Sequence, residues 1–396
     1  MSRSTGQERP GRIGLGRFLR ESGALRADWA GTFEAVDRAW FLPSLMWPFD
    51  MEAKTSVAVD RSRDPVAWYG YADSNVPITT QWDDGAHTAA GPGRVPTSSA
   101  SMPSVVFRML GDLAVEDGHR VLDIGTGPGI NAAYLAHRLG EGRVVTVEVD
   151  ARVADAARKA LPAVGLRPEV ITGDGFGGHA AGAPYDRVVA TAGVRTFPYA
   201  WVEQTRPGGV IVAPWGTRFG NLDAVARLVV AGDGGSASGT FTRPVEFMKL
   251  RAQRLSWAGH TAYVPAEGTA GAGVRRSVSE TTEAEFLTGT WDAAGFALGL
   301  VVPDCLRVVA EARDGMRPVW LYGLSDRSWA VAVFRDGSPT DVHQYGGRDL
   351  WTEVETAHTW WKGRGGPGFE RFGLTVSAGG QDVWLDEPGN VIRRVG

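Results

Sequence analysis

The chain has 396 residues, 43% of them hydrophobic, 10% aromatic and 22% charged, with a formal net charge of −4. That is enough for two or three packed cores, and the slight acidic excess exerts no general pull on nucleic acid. The single cysteine, Cys305, excludes an internal disulfide framework and a cysteine-rich metal site. The opening stretch MSRSTGQERPGRIGLGRFLRESG has arginines but no apolar core of signal-peptide length. No window approaches the roughly 20 apolar residues of a membrane span, so a cytoplasmic protein is expected.

Leu19, Leu25, Trp29, Phe33 and Val36 recur at roughly helical spacing, and Pro43 and Pro48 end that pattern. Residues 50–104 read as irregular, and AHTAAGPGRVPTSSASMP within them as a loop over a site. The middle of the chain then alternates. HRVLDIG, VVTVEVD, EVITGD, RVVATAG and GGVIVAPW read as strands, separated by the helices INAAYLAHRLG, ARVADAARKALPAVG and PYAWVEQT. Apolar strands joined by helices predict a doubly wound α/β fold with a parallel sheet. Beyond Gln253 come EGTAGAG, read as a flexible linker, and the close-spaced strands LRVVAEA, PVWLYGLS, SWAVAVF and TDVHQYG. A helix, DLWTEVETAHTWWKG, and a hairpin, RFGLTVSAGGQDVWLDEP, complete an α+β unit. The expected organisation is N-terminal helices and a loop (1–104), a nucleotide-binding domain (105–252) and a C-terminal α+β domain (253–396).

The stretch VLDIGTGPG (121–129) is an apolar run that breaks into alternating glycines, the mark of a strand turning into a helix beneath a ligand. The glycine pattern alone divides between a dinucleotide and S-adenosylmethionine. The dinucleotide fingerprint wants its third glycine where Ile130 stands, and Pro128 removes a backbone donor. Asp123 at the strand end would repel a pyrophosphate, yet it suits the ammonium group of S-adenosylmethionine. Glu148 closes the second strand, where a carboxylate accepts from ribose hydroxyls, and Asp174 with Gly175 closes the third, in reach of an adenine amine. Acids at strand ends also cap following helices, but three facing one crevice favour S-adenosylmethionine, held by Asp123, Gly125, Thr126, Gly127, Gly129, Glu148, Asp174 and Gly175. The seven histidines show no metal-ligand spacing, and no metal is expected.

VLDIGTGPG, GDG, PYDRVVATAG and PGGVIVAPWG, in this order, resemble the catalytic domain of protein-L-isoaspartate O-methyltransferases, and FEAVDRAWFLP resembles that family's N-terminal helix signature. Ser99-Ala100-Ser101-Met102-Pro103 resembles its Thr-x-Ser-x-Pro segment. TQWDDG, EFMKLR, GGRDLWTEVETAHTWW and RFGLTVSAGGQDVWLD resemble a longer subfamily found beside pathways for ribosomally made peptides: lanthipeptides, lasso peptides and graspetides. The resemblance implies methylation of a peptide carboxylate. In the repair enzymes the acceptor is isoaspartate. In the longer subfamily it is an aspartate of a modified precursor peptide, whose ester closes to an aspartimide that persists or opens, largely to isoaspartate.

The same resemblance puts the Ser101 hydroxyl beside the acceptor carboxylate. Thr97, Ser98 and Ser99 are weaker members of that segment, and Arg195 is a hypothetical carboxylate partner. A turn serine and a solvated loop arginine are the plain alternatives. A carboxylate is already ionised at neutral pH, so the absence of a His–Asp or Cys–His pair does not count against an enzyme. Trp82, Asp83 and Asp84 read as a structural turn that could border a peptide channel. Repair enzymes are expected to lack the tryptophan-rich C-terminal unit, so its presence implies a larger, folded substrate. A non-catalytic peptide-binding scaffold is the alternative of another class. The sequence leaves the oligomeric state open.

Overall fold

The structure, a computed structural model, describes residues 9–289 and 291–395; the start of the arginine-bearing N-terminal stretch lies outside them. Helix α1 (Pro10–Glu21) begins at a proline, whose fixed φ and missing N–H suit a first helical position. Together with α2 (Ala27–Ala35) it buries Leu15, Leu19, Trp29 and Phe33. Trp29 and Phe33 meet Phe107 edge-on, with centroids 6.5 and 5.9 Å away.

Residues 50–104, read as irregular, are instead largely folded. Strands β1 (Leu45–Asp50), β2 (Thr55–Ser56) and β3 (Val59–Asp60) precede α3 (Pro65–Ala72), and β4 (Ile78–Trp82) and β5 (Pro96–Ala100) follow it. They form a small antiparallel sheet in which Thr79 pairs with Ser99 and Ile78 with Ala100. The serine segment is thus an edge strand running into α4 (Pro103–Leu113), not a loop. Polar side chains on a strand with one partner leave no alternating apolar pattern, which is why the sequence hid it.

The central elements follow the expected alternation: β6 (Val121–Ile124), α5 (Ile130–Leu139), β7 (Val144–Glu148), α6 (Ala151–Ala163), β8 (Glu169–Thr172), β9 (Tyr185–Ala190), α7 (Tyr199–Glu203) and β10 (Thr205–Gly216). Two strands that the pattern did not announce, β11 (Asp223–Val230) and β12 (Ser236–Val245), extend the sheet antiparallel. Farther on lie β13 (Arg275–Ser279), α8 (Glu283–Phe286), α9 (Ala293–Val301), β14 (Cys305–Val309), β15 (Met316–Gly323), β16 (Trp329–Arg335) and β17 (Ser338–Tyr345). After α10 (Leu350–Lys362) come β18 (Phe372–Ser377), β19 (Gly380–Leu385) and β20 (Val391–Val395).

The expected boundary at residue 253 does not separate the chain into two sheets. β18 to β20 return to the central sheet, whose order is β20-β19-β18-β12-β11-β10-β9-β6-β7-β8, with Ser236 opposite Ser377 and Thr240 opposite Gly373. Of the strands after residue 253, β13-β17-β16-β15-β14 form a separate antiparallel sheet, the second large one beside the central sheet. Helix α9 is apolar on every side because both cores use it: Phe296, Ala297 and Leu300 face the central sheet, Leu298 the second one. Without a polar face it shows no 3.6-residue period, so the sequence did not reveal it. Trp329, Trp351 and Trp384 are core residues, while Trp320, Trp360 and Trp361 are half-buried. Among the described residues no helix is long and apolar enough to cross a membrane.

Candidate active site

The turn after β6 shows why glycine recurs. Gly125, Gly127 and Gly129 have φ of +92°, +52° and +102°, a region that L side chains rarely adopt. A Cβ on Gly129 would only reach ordinary contact with Leu161 and Ala157 of α6, so it is the positive φ that calls for glycine there. The Gly127 N–H donates to Glu148 Oε2 at 2.9 Å, which ties the turn to the end of β7.

Asp123 departs from the role expected of it. Its side chain is wholly buried, and it lines neither of the two cavities described below. Asn131 Nδ2 donates to its Oδ1 at 2.7 Å, and Thr146 Oγ1 to its Oδ2 at 2.8 Å. Thr146 is in turn 2.7 Å from the hydroxyl of Thr126. The carboxyl is therefore an anchor under the glycine turn, not a partner facing an ammonium group. Burial pushes its pKa up to about 7, against those two hydrogen bonds.

At the carboxyl edge of the sheet opens a crevice. Gly125, Gly127, Glu148, Asp174 and Gly175 line it, as do Thr97, Ser98 and Ser99. Glu148 accepts from Gly127 through one oxygen and from the Asp150 N–H, at 3.0 Å, through the other. Each oxygen keeps a lone pair for a ligand hydroxyl. Asp174 is exposed and accepts from the Phe176 N–H at 3.0 Å through Oδ1. Gly175 is buried, and a Cβ there would lie 2.6 Å from Ile124 Cγ2, so only glycine fits beside β6. Two carboxylates at neighbouring strand ends, over a bare glycine backbone, fit the ribose and adenine of S-adenosylmethionine.

Thr97 and Ser98 reach the crevice but are already engaged, Thr97 with Gln81 Oε1 at 2.8 Å and Ser98 with Thr80 Oγ1 at 3.0 Å. A second, smaller cavity adjoins the first, and the two share Ser99, Gly125 and Thr191. Ser101 lines the smaller cavity beside Thr126, Asn131, Tyr134 and Arg38. Gly129 lines neither cavity and acts through the backbone of the turn.

Arg195 is not a carboxylate partner in either cavity. Its Nη1 donates to the Gln253 carbonyl at 2.8 Å, and its own N–H donates to Gln253 Oε1 at 2.6 Å. The residue fastens the segment after β9 to residue 253. Trp82 is buried edge-on against Trp47, and Asp83 accepts from the N–H groups of Arg94 and Val95. Asp84, in the same turn, pairs with Arg251 and Arg254, both of which line the larger crevice. His137 meets the Thr32 hydroxyl at 3.1 Å and joins α5 to α2.

Sequence reasoning missed Arg38, Tyr134 and Lys249. Lys249 lines the larger crevice and forms a buried ion pair with Asp223 at 2.6 Å. Burial pushes the Asp223 carboxyl up to about 6 in spite of that lysine. Arg38 sits inside FEAVDRAWFLP, so the motif contained it, but nothing local in the sequence marks it as buried beside Ser101.

Sequence comparison supports the same reading. The Methanopyrus kandleri protein-L-isoaspartate O-methyltransferase is 39% identical over 151 residues, 37% of this chain and 60% of that protein. The Thermococcus onnurineus enzyme of the same name is 44% identical over 119 residues, 30% of this chain and 54% of its own length. The chain thus spans about 54–60% of the length of these relatives. A solved structure of a protein-L-isoaspartate O-methyltransferase superposes with a TM-score of 0.51 at 20% identity, over 95% of this chain and 100% of that one. At that identity the likeness establishes the fold, that of the Rossmann-like S-adenosylmethionine-dependent methyltransferases. The superposition covers 95% of this chain, so a structure of that name has counterparts to much of the C-terminal unit, contrary to the expectation that such enzymes lack it. The pattern of the protein-L-isoaspartate(D-aspartate) O-methyltransferase (PCMT) family matches residues 53–254, more than half of the sequence, and the chain belongs to that family.

Proposed function

We propose that the chain is an S-adenosylmethionine-dependent carboxyl O-methyltransferase whose acceptor is an isoaspartyl residue of a peptide or protein. The observation that carries this reading is the junction of the two cavities along Ser99, Gly125 and Thr191. It sets the crevice lined by Glu148 and Asp174 next to the cavity that holds Ser101. When bound, S-adenosylmethionine supplies an activated methyl group on a sulfonium centre. Glu148 and Asp174 hold the nucleoside, while Gly125 and Gly127 let the backbone approach it. Asp123 fixes the turn through Asn131 and Thr146. Ser101 donates its hydroxyl to the acceptor carboxylate and orients it. The carboxylate needs no general base at neutral pH, so the rate derives from positioning in a water-poor crevice.

The test is intact-mass analysis after incubation with S-adenosylmethionine and two short peptides, one isoaspartyl and one with ordinary aspartate. A methyl gained only by the isoaspartyl peptide is expected; no gain on either rejects the reading. A second reading rests on the C-terminal GGRDLWTEVETAHTWW and RFGLTVSAGGQDVWLD. In it the acceptor is an aspartate in a modified ribosomal precursor peptide, selected with help from the second sheet, and the ester closes to an aspartimide. The matured precursor would then gain a methyl and lose methanol, while the linear isoaspartyl peptide stays unmodified.

A further inference from the structure

We infer that the smaller cavity is a carboxylate-binding site built on Arg38. This rests on the methyltransferase reading above and deepens it. Arg38 is 5% exposed, yet among the described residues no acid lies within ion-pair distance of its guanidinium. Asp37 and Asp73 are the acids at hand, and Arg9 binds both, at 2.8 and 2.6 Å. Arg38 has only carbonyls. Nη1 donates to Ser74 at 3.2 Å; Nη2 donates to Val76 and Ala100, both at 2.9 Å, and to Ser101 at 3.1 Å. Its Nε is buried with no partner.

A guanidinium withdrawn from water without a counter-ion is costly, and proteins retain one where an anion completes it. Burial lowers its pKa to about 10, so the side chain stays charged at neutral pH. Around it the cavity presents Ser101, Tyr134 and the second amide hydrogen of Asn131 as donors, while the Thr191 hydroxyl is spent on the Gly125 carbonyl at 2.9 Å; Val106 and Ile130 supply apolar wall. A planar anion the size of a carboxylate matches that set. Two carboxylates belong to the reaction, the α-carboxylate of the methyl donor and the acceptor side chain, and they share this chemistry. Arg38 also grips the carbonyls of Ala100, the last residue of β5, and of Ser101 just after it, so it positions Ser101 as well.

The experiment is calorimetric titration of S-adenosylhomocysteine and of its neutral carboxamide into the full chain, together with the KM of an isoaspartyl peptide. Wild type, R38K and R38M are compared, with folding checked by circular dichroism melting. In R38M one ligand should weaken roughly tenfold or more, with partial retention in R38K. Loss confined to S-adenosylhomocysteine, with its carboxamide bound weakly by wild type and indifferent to R38M, assigns the site to the donor. A raised peptide KM with unchanged S-adenosylhomocysteine affinity assigns it to the acceptor. If R38M does not fold, R38K carries the comparison, since lysine keeps the charge and loses the fork. Affinities indifferent to Arg38 in a wild type that binds S-adenosylhomocysteine overturn this site alone. Wild type that binds no S-adenosylhomocysteine and methylates no peptide overturns the functional reading, and this site with it.

Discussion

The larger crevice takes its acids from the ends of neighbouring parallel strands, Glu148 on β7 and Asp174 just past β8. The smaller cavity gathers Arg38 from ahead of the N-terminal sheet, Ser101 from the junction of β5 and α4, and Tyr134 from α5. In the first, each ligand-facing group stands within a few residues of a strand end, so a doubly wound sheet brings them together by topology alone. In the second, residues 38, 101 and 134 meet only because the small antiparallel sheet folds back over the glycine turn. The lining of the larger crevice is thus written in short motifs, and that of the smaller cavity in long-range packing.

Four outcomes would break or sharpen that contrast. The largest concerns Asp123, an anchor in this account. Its carboxyl titrates near 7 in the fold against an ordinary 3.8, so the folded state favours the protonated form. That contribution is full below about pH 4 and is lost as pH rises through 7. The stability of wild type relative to D123N should therefore fall by about 3–4 kcal/mol between about pH 4 and pH 8. A flat difference in urea melts would show that the group is not buried as described. Next, E148A should weaken S-adenosylhomocysteine binding by roughly tenfold to a hundredfold, since it removes an acceptor and the tie to Gly127. Unchanged affinity would take the nucleoside out of this crevice.

S101A should lower kcat roughly tenfold while the affinity for S-adenosylhomocysteine stays within about twofold, because it removes one hydrogen bond on the acceptor side. Unaltered turnover would remove Ser101 from the site. The smallest effect is expected from R195A. The peptide KM should stay within about twofold, since Arg195 binds Gln253 and faces neither cavity. A large rise in KM would restore the carboxylate partnership that the sequence invited.

The sequence exposed the central alternation because buried parallel strands are continuously apolar and their helices amphipathic. It also exposed the glycine turn, whose positive φ values at Gly125, Gly127 and Gly129 demand that residue type. It misjudged Asp123, because an acid at a strand end reads the same whether it faces a ligand or, as here, Asn131 and Thr146. β5 was hidden by its serines, and α9 by the lack of a polar face. The return of β18 to β20 to the central sheet was illegible for another reason. An antiparallel hairpin carries no mark of which sheet edge it will join, and Ser236 and Ser377 are far apart in sequence. Arg38 was legible as part of a motif but not as a buried charge, since its surroundings come from distant segments, the carbonyls of Ser74, Val76, Ala100 and Ser101.

The most direct measurement is a crystal structure of the full chain with S-adenosylhomocysteine. The ribose should lie against Glu148, the adenine beside Asp174 and Gly175, and the sulfur toward Ser101, with Asp123 still bound to Asn131 and Thr146. A nucleoside outside this crevice, or an Asp123 carboxylate turned onto the ligand's ammonium group, would contradict the account.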